Sequence, residues 1–263
     1  MAAINKYGAV EQGGFNKLNL MVENAQELVE KLVALGFPRS NIITLFDDKA
    51  TSVNIENALK EFWDGGPFEN ADRLVVYFGG HGARINLRPG IETRRERGVL
   101  ITSDYRPGQP SRTGLVLDDI MTRHFMNVAA HHVLALIDAC SSGLALPAYQ
   151  GNAEDEKAAK EFKRLAMLRS ETAPRARDIL AAGTNNERAL WDSGGVFTRA
   201  VINGLDGAAD INHDGVIQFS ELILHVREEV VDKTWRVGVK QTPDYFSQDK
   251  GRVLFIRPNM FTQ

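Results

Sequence analysis

Two short tracts carry side chains suited to nucleophilic and acid–base chemistry. Residues 131–143 read HHVLALIDACSSG, and Cys140 is the sole cysteine in the 263-residue chain. Upstream, residues 75–82 read VVYFGGHG, with His81 set among glycines. A thiol is a poor nucleophile until it loses its proton, and an adjacent imidazole is the usual means of removing it. Gly82 leaves room for a substrate backbone. Its N–H, together with that of Cys140, could face a developing oxyanion. Taken singly, each tract has a plainer reading. A lone cysteine at a strand end is more often a small buried hydrophobe, and a Gly-His-Gly after a strand is more often a turn. Their conjunction at the ends of two strong strand candidates is what points to chemistry, because ligands of open α/β sheets bind beyond the carboxyl ends of strands.

The elements that must position them follow a βα rhythm. Helical patterning runs from about Val22 to Leu35 and stops at Gly36 and Pro38. NIITLF (41–46) reads as a short strand, and Thr51 as the N-cap of a helix reaching about Trp63. RLVVYF (73–78), GVLIT (98–102), HVLALI (132–137) and ARDILAAG (176–183) are further strand candidates, and RVLFIR (252–257) closes the series. Helices are expected at 117–125, 197–205 and 219–232. Continuous apolar strands separated by helices argue for a mostly parallel central sheet of about six strands with helices on both faces, in one domain spanning 1–263. The Arg-rich tract 84–97 and the highly charged tract 150–177 read as exposed connections, the latter with enough Ala, Glu and Lys for a helix.

Composition narrows the function classes. With 31 basic against 34 acidic residues the formal charge is −3, so no net field favours nucleic acid or anionic lipid. No apolar run approaches the roughly 18 residues of a membrane span. The N-terminal tract MAAINKYGAV lacks the features of a secretory leader, and a single cysteine permits no internal disulfide, so a cytoplasmic protein is expected. The sole cysteine also excludes thiolate zinc clusters within one chain.

VVYFGGHG and LALIDACSSG resemble the two defining segments of the caspase-like cysteine peptidases, and more narrowly those of the metacaspase and prokaryotic caspase-homologue branch. INKYG, LFDDKATSVNIENAL, GGVFTRAVINGLDGAADINHDGVIQFSEL and QTPDYF extend the similarity along nearly the whole chain. The resemblance implies a caspase-hemoglobinase fold and a His81/Cys140 dyad hydrolysing peptide bonds through a thioester, with no cofactor required for the chemistry. Gly79 replaces the family's usual serine, and Ser141 stands where a histidine is usual. Metacaspase-like members cut after basic residues, which implies that Asp138 lines the pocket for the residue before the scissile bond. A buried carboxylate in such a pocket selects Arg or Lys. The alternative for Asp138 is capping of the following turn. The family's second pocket acid corresponds to Asn24 here, and Asp104 could supply the missing charge or cap a turn. By the same resemblance Trp191 with Ser193-Gly194-Gly195 would border the groove; the alternative is a buried aromatic near a turn. The basic residues of 150–177 (Lys157, Lys160, Lys163, Arg164, Arg169, Arg175 and Arg177), and secondarily the Arg-rich loop, suggest self-processing. The rival is a catalytically inactive caspase-like scaffold or regulatory module; expected partners are peptides with a basic residue before the cut, and a regulatory protein.

DINHDGVIQFSE (210–221) fits the EF-hand loop pattern: Asp210, Asn212, Asp214, Gly215 and Glu221 at the defined positions, Gln218 at the ninth, and Val216 lending its carbonyl. Calcium there is one reading; a turn and helix cap is the other, since EF-hands normally work in pairs.

Overall fold

Strand β7, His132–Asp138, is buried at every position, as is its neighbour β8, Ala176–Ala181. Strands with no polar face must be covered on both sides, and this is the geometry found in the computed structural model, which describes residues 1–7, 15–85, 96–125, 127–140, 174–184, 187, 195–248 and 251–256. The central sheet also holds β1 (Ala2–Ala3), β2 (Leu45–Phe46), β3 (Arg73–Gly79) and β10 (Asp244–Gln248), in the order β10-β8-β7-β3-β1-β2. All neighbours are parallel except β10, which runs antiparallel to β8 at one edge.

The side chains of β7 alternate between two cores. Leu134 and Leu136 pack with α1 (Met21–Ala34), α5 (Val196–Asn203) and α6 (Phe219–Trp235), through Met21, Leu28, Phe197 and Leu222. Val133, Ala135 and Ile137 face α2 (Ser52–Lys60) and the segment after the short helices α3 (Pro110–Thr113) and α4 (Leu117–Ile120), through Ile55, Leu59 and Phe125. Each fully buried Leu contributes roughly 1.5–3 kcal/mol relative to an exposed one.

Several boundaries differ from expectation for identifiable reasons. NIITLF pairs only at Leu45–Phe46, because Arg39–Asn41 forms a 3-10 turn ahead of it. GVLIT is a strand, β5 (Arg97–Ile101), but it joins a separate three-stranded sheet with β4 (Gly82–Ile85) and β6 (Gly114–Val116). The tract 84–97 is therefore strand at both ends. The closing strand, β11 (Leu254–Ile256), pairs antiparallel with β9 (Val216–Gln218) and not with the central sheet, whose edge is taken by β10. After α5 the chain continues as a π-helical turn, Gly204–Ala208, kinked at Gly207 with φ 120°.

Candidate active site

From β1 the chain adds β2 on one side, then crosses to place β3, β7 and β8 on the other. The crevice of such a sheet lies where the order reverses, beyond the carboxyl ends of β1 and β3. β1 leads there into Asn5 and Tyr7, β3 into His81, and the adjacent β7 into Asp138 and Cys140.

The register fixes the levels of these groups. Gly79 pairs with Asp138, the Gly80 N–H donates to the Asp138 carbonyl at 3.0 Å, and the Cα of Gly82 lies against the backbone of Cys140. His81, between Gly80 and Gly82, and the half-buried Cys140 thus leave neighbouring strands on one rim. Three glycines make this possible, each for a different atom. An added Cβ would stand 2.4 Å from the Tyr77 hydroxyl at position 79, 2.4 Å from the Tyr7 hydroxyl at position 80, and 2.1 Å from the Cys140 carbonyl oxygen at position 82. The glycine in place of serine at 79 is therefore the space that the Tyr77 hydroxyl fills.

The His81 imidazole is held by neighbours that the motifs did not single out. Its ring lies against Tyr7 and Phe15, with centroids at 4.8 and 5.2 Å. Its backbone N–H donates to the Tyr7 hydroxyl at 2.7 Å, and its carbonyl accepts from Ile101 N–H at 2.9 Å. Nε2 sits 2.8 Å from the carbonyl oxygen of Asn16. A carbonyl can only accept, so Nε2 carries the proton and Nδ1 is left as the basic atom. Burial lowers the His81 pKa below the ordinary 6.5, with the Asn16 carbonyl opposing that shift, so the imidazole is neutral at pH 7. Burial likewise pushes the Tyr7 phenol up, keeping its hydroxyl protonated. Asn5 anchors the same corner. Its Oδ1 accepts from the Met21 and Val22 N–H groups, capping α1, whose own N-cap Leu20 offers no side-chain bond. Tyr7 lies within INKYG, but that tract gave it no role, and no short motif marks Phe15 or Asn16.

Asp138 is fully buried. Thr198, on the first turn of α5, donates its hydroxyl to Asp138 Oδ2 at 2.6 Å, and the Tyr77 hydroxyl lies 2.9 Å from Thr198 Oγ1. Since the single Thr198 proton goes to the carboxylate, Tyr77 must donate to Thr198. The relay Tyr77–Thr198–Asp138 therefore points two hydroxyl dipoles at one carboxylate. Gly195, at φ +55°, approaches this group: a Cβ there would stand 2.7 Å from Asp138 Oδ2 and 3.3 Å from Asn24 Nδ2. Asp138 and the buried Asn24 are thus brought together, beside Met21.

Asp104 does not supply the pocket charge considered for it. Its carboxylate accepts from Ser52 N–H (2.9 Å), the Ser52 hydroxyl (3.3 Å) and the Thr102 hydroxyl (2.8 Å), so it caps the start of α2. Arg177 is removed from the set of cleavable basic residues. It lies in β8, buried, with its guanidinium donating to the carbonyls of Phe125, Val128, His131 and Ala176. Lys157, Lys160, Lys163, Arg164, Arg169, Trp191, Ser193 and Gly194 lie outside the described residues.

In the 210–221 loop, Asp210 accepts from the N–H groups of Asp214 and Gly215, Asn212 accepts from Asp214, and Asp214 accepts from Val216, all near 2.9 Å. Gln218 and Glu221 form a reciprocal capping box at the head of α6. Ile217, the eighth loop residue, pairs with Phe255 of β11 in place of a second loop. Burial raises the Glu221 pKa, helped by the charges of Asp214 and Asp210. Among the described residues no group of three or more His, Cys, Asp or Glu side chains stands close enough to hold a metal ion. As arranged, the loop's side-chain oxygens accept from its own backbone N–H groups.

A thiol and an imidazole on the rim of a mostly parallel sheet, over a buried carboxylate, define a caspase-type α/β domain. The chain belongs to the peptidase C14 caspase-domain family, which it matches over residues 3–255. Among curated protein sequences none matches. Solved structures share the fold. Protein GSU0716 from Geobacter sulfurreducens superposes with a TM-score of 0.59 at 14% identity, over 94% of this chain and 90% of that one. Caspase-1 from Spodoptera frugiperda gives 0.55 at 14% identity, over 93% and 83%. Among the described residues no helix is long and apolar enough to cross a membrane.

Proposed function

We propose that this chain is a cysteine endopeptidase of metacaspase type, with His81 as general base and Cys140 as nucleophile. The observation that carries the reading is the Asn16 carbonyl on Nε2, which leaves a neutral Nδ1 as the base on the rim that also bears the thiol. In the proposed reaction Nδ1 takes the Cys140 proton and sulfur adds to the scissile carbonyl carbon. The resulting oxyanion is met by the N–H groups of Gly82 and Cys140. Collapse breaks the C–N bond, the imidazolium proton leaves with the amine, and water then hydrolyses the thioester with His81 again as base.

Asp138 supports selection for Arg or Lys before the cut: it is a buried carboxylate beside Asn24, at the end of the strand that carries Cys140. Its companion is the Asn24 amide, so we expect Arg to be favoured over Lys, because a guanidinium can donate to both groups in its fork. Self-processing is proposed within 150–177, Arg177 excepted.

Fluorogenic peptides ending in Arg, Lys and Asp test this. We expect cleavage after Arg and Lys that is abolished in Cys140→Ala and His81→Ala, and self-cleavage fragments absent from Cys140→Ala on a denaturing gel. Preference for Asp would remove the pocket assignment. A wild-type protein that neither cleaves nor reacts with a thiol-directed activity probe would establish the inactive-scaffold alternative.

A further inference from the structure

The three-stranded sheet has two unlike faces. Leu100 of β5 and Leu115 of β6 join the core shared with α2 and α4, through Ile55, Leu117 and Ile120. The alternate residues, Val99, Ile101 and Val116, form a separate apolar cluster with Ala83 and Ile85 of β4. Among the described residues no helix contributes to that cluster. What packs on it is Tyr7, Phe15 and Tyr105, and these, like Ala83 and Ile85, are only half-buried.

The platform so formed is held in place and is continuous with the rim. Phe15 meets Tyr105 edge to face, with ring centroids 5.7 Å apart, and meets the His81 ring at 5.2 Å. The Tyr105 N–H donates to the Thr102 carbonyl at 3.1 Å, and the Arg106 N–H to Thr113 Oγ1 at 2.8 Å, so the backbone at Tyr105 is tied on both sides. Gly114 makes room for the ring: an added Cβ would stand 2.6 Å from Val99 Cγ1 and 3.0 Å from Tyr105 Cδ2. Asp138 lies on the other face of the central sheet, in register with Leu134 and Leu136 of its strand and bonded to Thr198 of α5. The rim that carries His81 and Cys140 therefore has a buried carboxylate on one face and an aromatic platform on the other.

We propose that this platform receives the side chain that follows the scissile bond, and that the residue there is aromatic or large and aliphatic. The inference rests on the peptidase reading above and names the other half of its substrate. In that reaction the imidazole hands its proton to the leaving amine, so the chain after the cut begins beside His81. The residue before the cut is directed to Asp138, on the opposite face. The apolar surface that adjoins the imidazole on the leaving side is Phe15 and, beyond it, Tyr105. Aromatic pairs gain more than the area they bury, and half-buried rings have area to bury. A cationic side chain could also stack on such rings, but Lys17 and Arg106, next in the chain to Asn16 and Tyr105, are exposed and would repel it.

Internally quenched peptides with Arg before the cut and Phe, Leu, Gly, Glu or Lys after it provide the test. We expect kcat/KM to be about tenfold higher for Phe or Leu than for Gly, with Glu and Lys no better than Gly. Tyr105→Ala should bring the Phe-to-Gly ratio to within about twofold of one while the preference for Arg before the cut persists, and Tyr105→Phe should keep the wild-type ratio. Should Tyr105→Ala fail to fold, the wild-type ratio alone decides. Calorimetry with Cys140→Ala protein, which leaves the peptides intact, separates this inference from the reaction: the Phe peptide should bind about tenfold more tightly than the Gly peptide. Tighter binding of Phe without cleavage by the wild type would remove the reaction and keep the platform. Equal kcat/KM for Phe and Gly, or a ratio that Tyr105→Ala does not change, would overturn the platform and keep the reaction. Neither binding nor cleavage of any peptide would overturn both.

Discussion

The imidazole of His81 is oriented by one hydroxyl, one carbonyl and two rings, and that arrangement makes Tyr7 a positioning residue. Tyr7→Phe retains the ring but removes the acceptor for the His81 N–H. We expect kcat to fall by between about 10- and 100-fold with KM little changed, as displaced catalytic groups elsewhere show. The acid limb supplies an independent readout. A base whose pKa is lowered stays neutral to lower pH, so the acid limb of the wild-type kcat/KM profile should lie below that of an ordinary imidazole. In Tyr7→Phe, loosened packing should let water reach the ring and move the limb upward toward 6.5; a limb that does not move would assign Tyr7 a structural role alone. Asp138 invites a parallel experiment. Thr198→Val conserves shape while depriving Asp138 of a donor and Tyr77 of an acceptor. It should lower stability by about 1–3 kcal/mol in denaturant unfolding and reduce the preference for basic substrates. His81 and Cys140 were legible in the sequence because reactive side chains followed apolar strands. Tyr7 and Thr198 were not, because each acts through a contact made across more than 50 residues of chain.

Among the elements, periodicity located the helices to within a few residues: α1 at Met21–Ala34 against Val22–Leu35, and α6 at Phe219–Trp235 against 219–232. Strand existence was equally legible, but partnership was not. GVLIT and RVLFIR carry the same apolar character as HVLALI, yet β5 and β11 lie outside the central sheet. Pairing depends on where the chain returns, and apolar content is silent on that. In the 210–221 loop, side chains that fit a calcium pattern also hold backbone N–H groups, and β11 holds Ile217. Asp210→Ala should therefore lower stability by about 1–3 kcal/mol even in excess chelator, read by thermal or urea unfolding. A loss seen only when calcium is present would assign that aspartate to an ion instead.

At the scale of the whole molecule, the reversal of strand order gathers the β1, β3 and β7 ends into one crevice. The glycine tract at that crevice has a consequence for how the protein would look to genetics. In a survey of every single substitution, position 82 should prove as intolerant as Cys140 itself. Any side chain there meets a peptide oxygen that has no rotamer by which to give way. Intolerance alone would therefore count position 82 as indispensable beside 81, where only the imidazole is proposed to exchange a proton. Purified variants would tell them apart: alanine at 82 should melt earlier, whereas alanine at 81 should fold normally and do nothing.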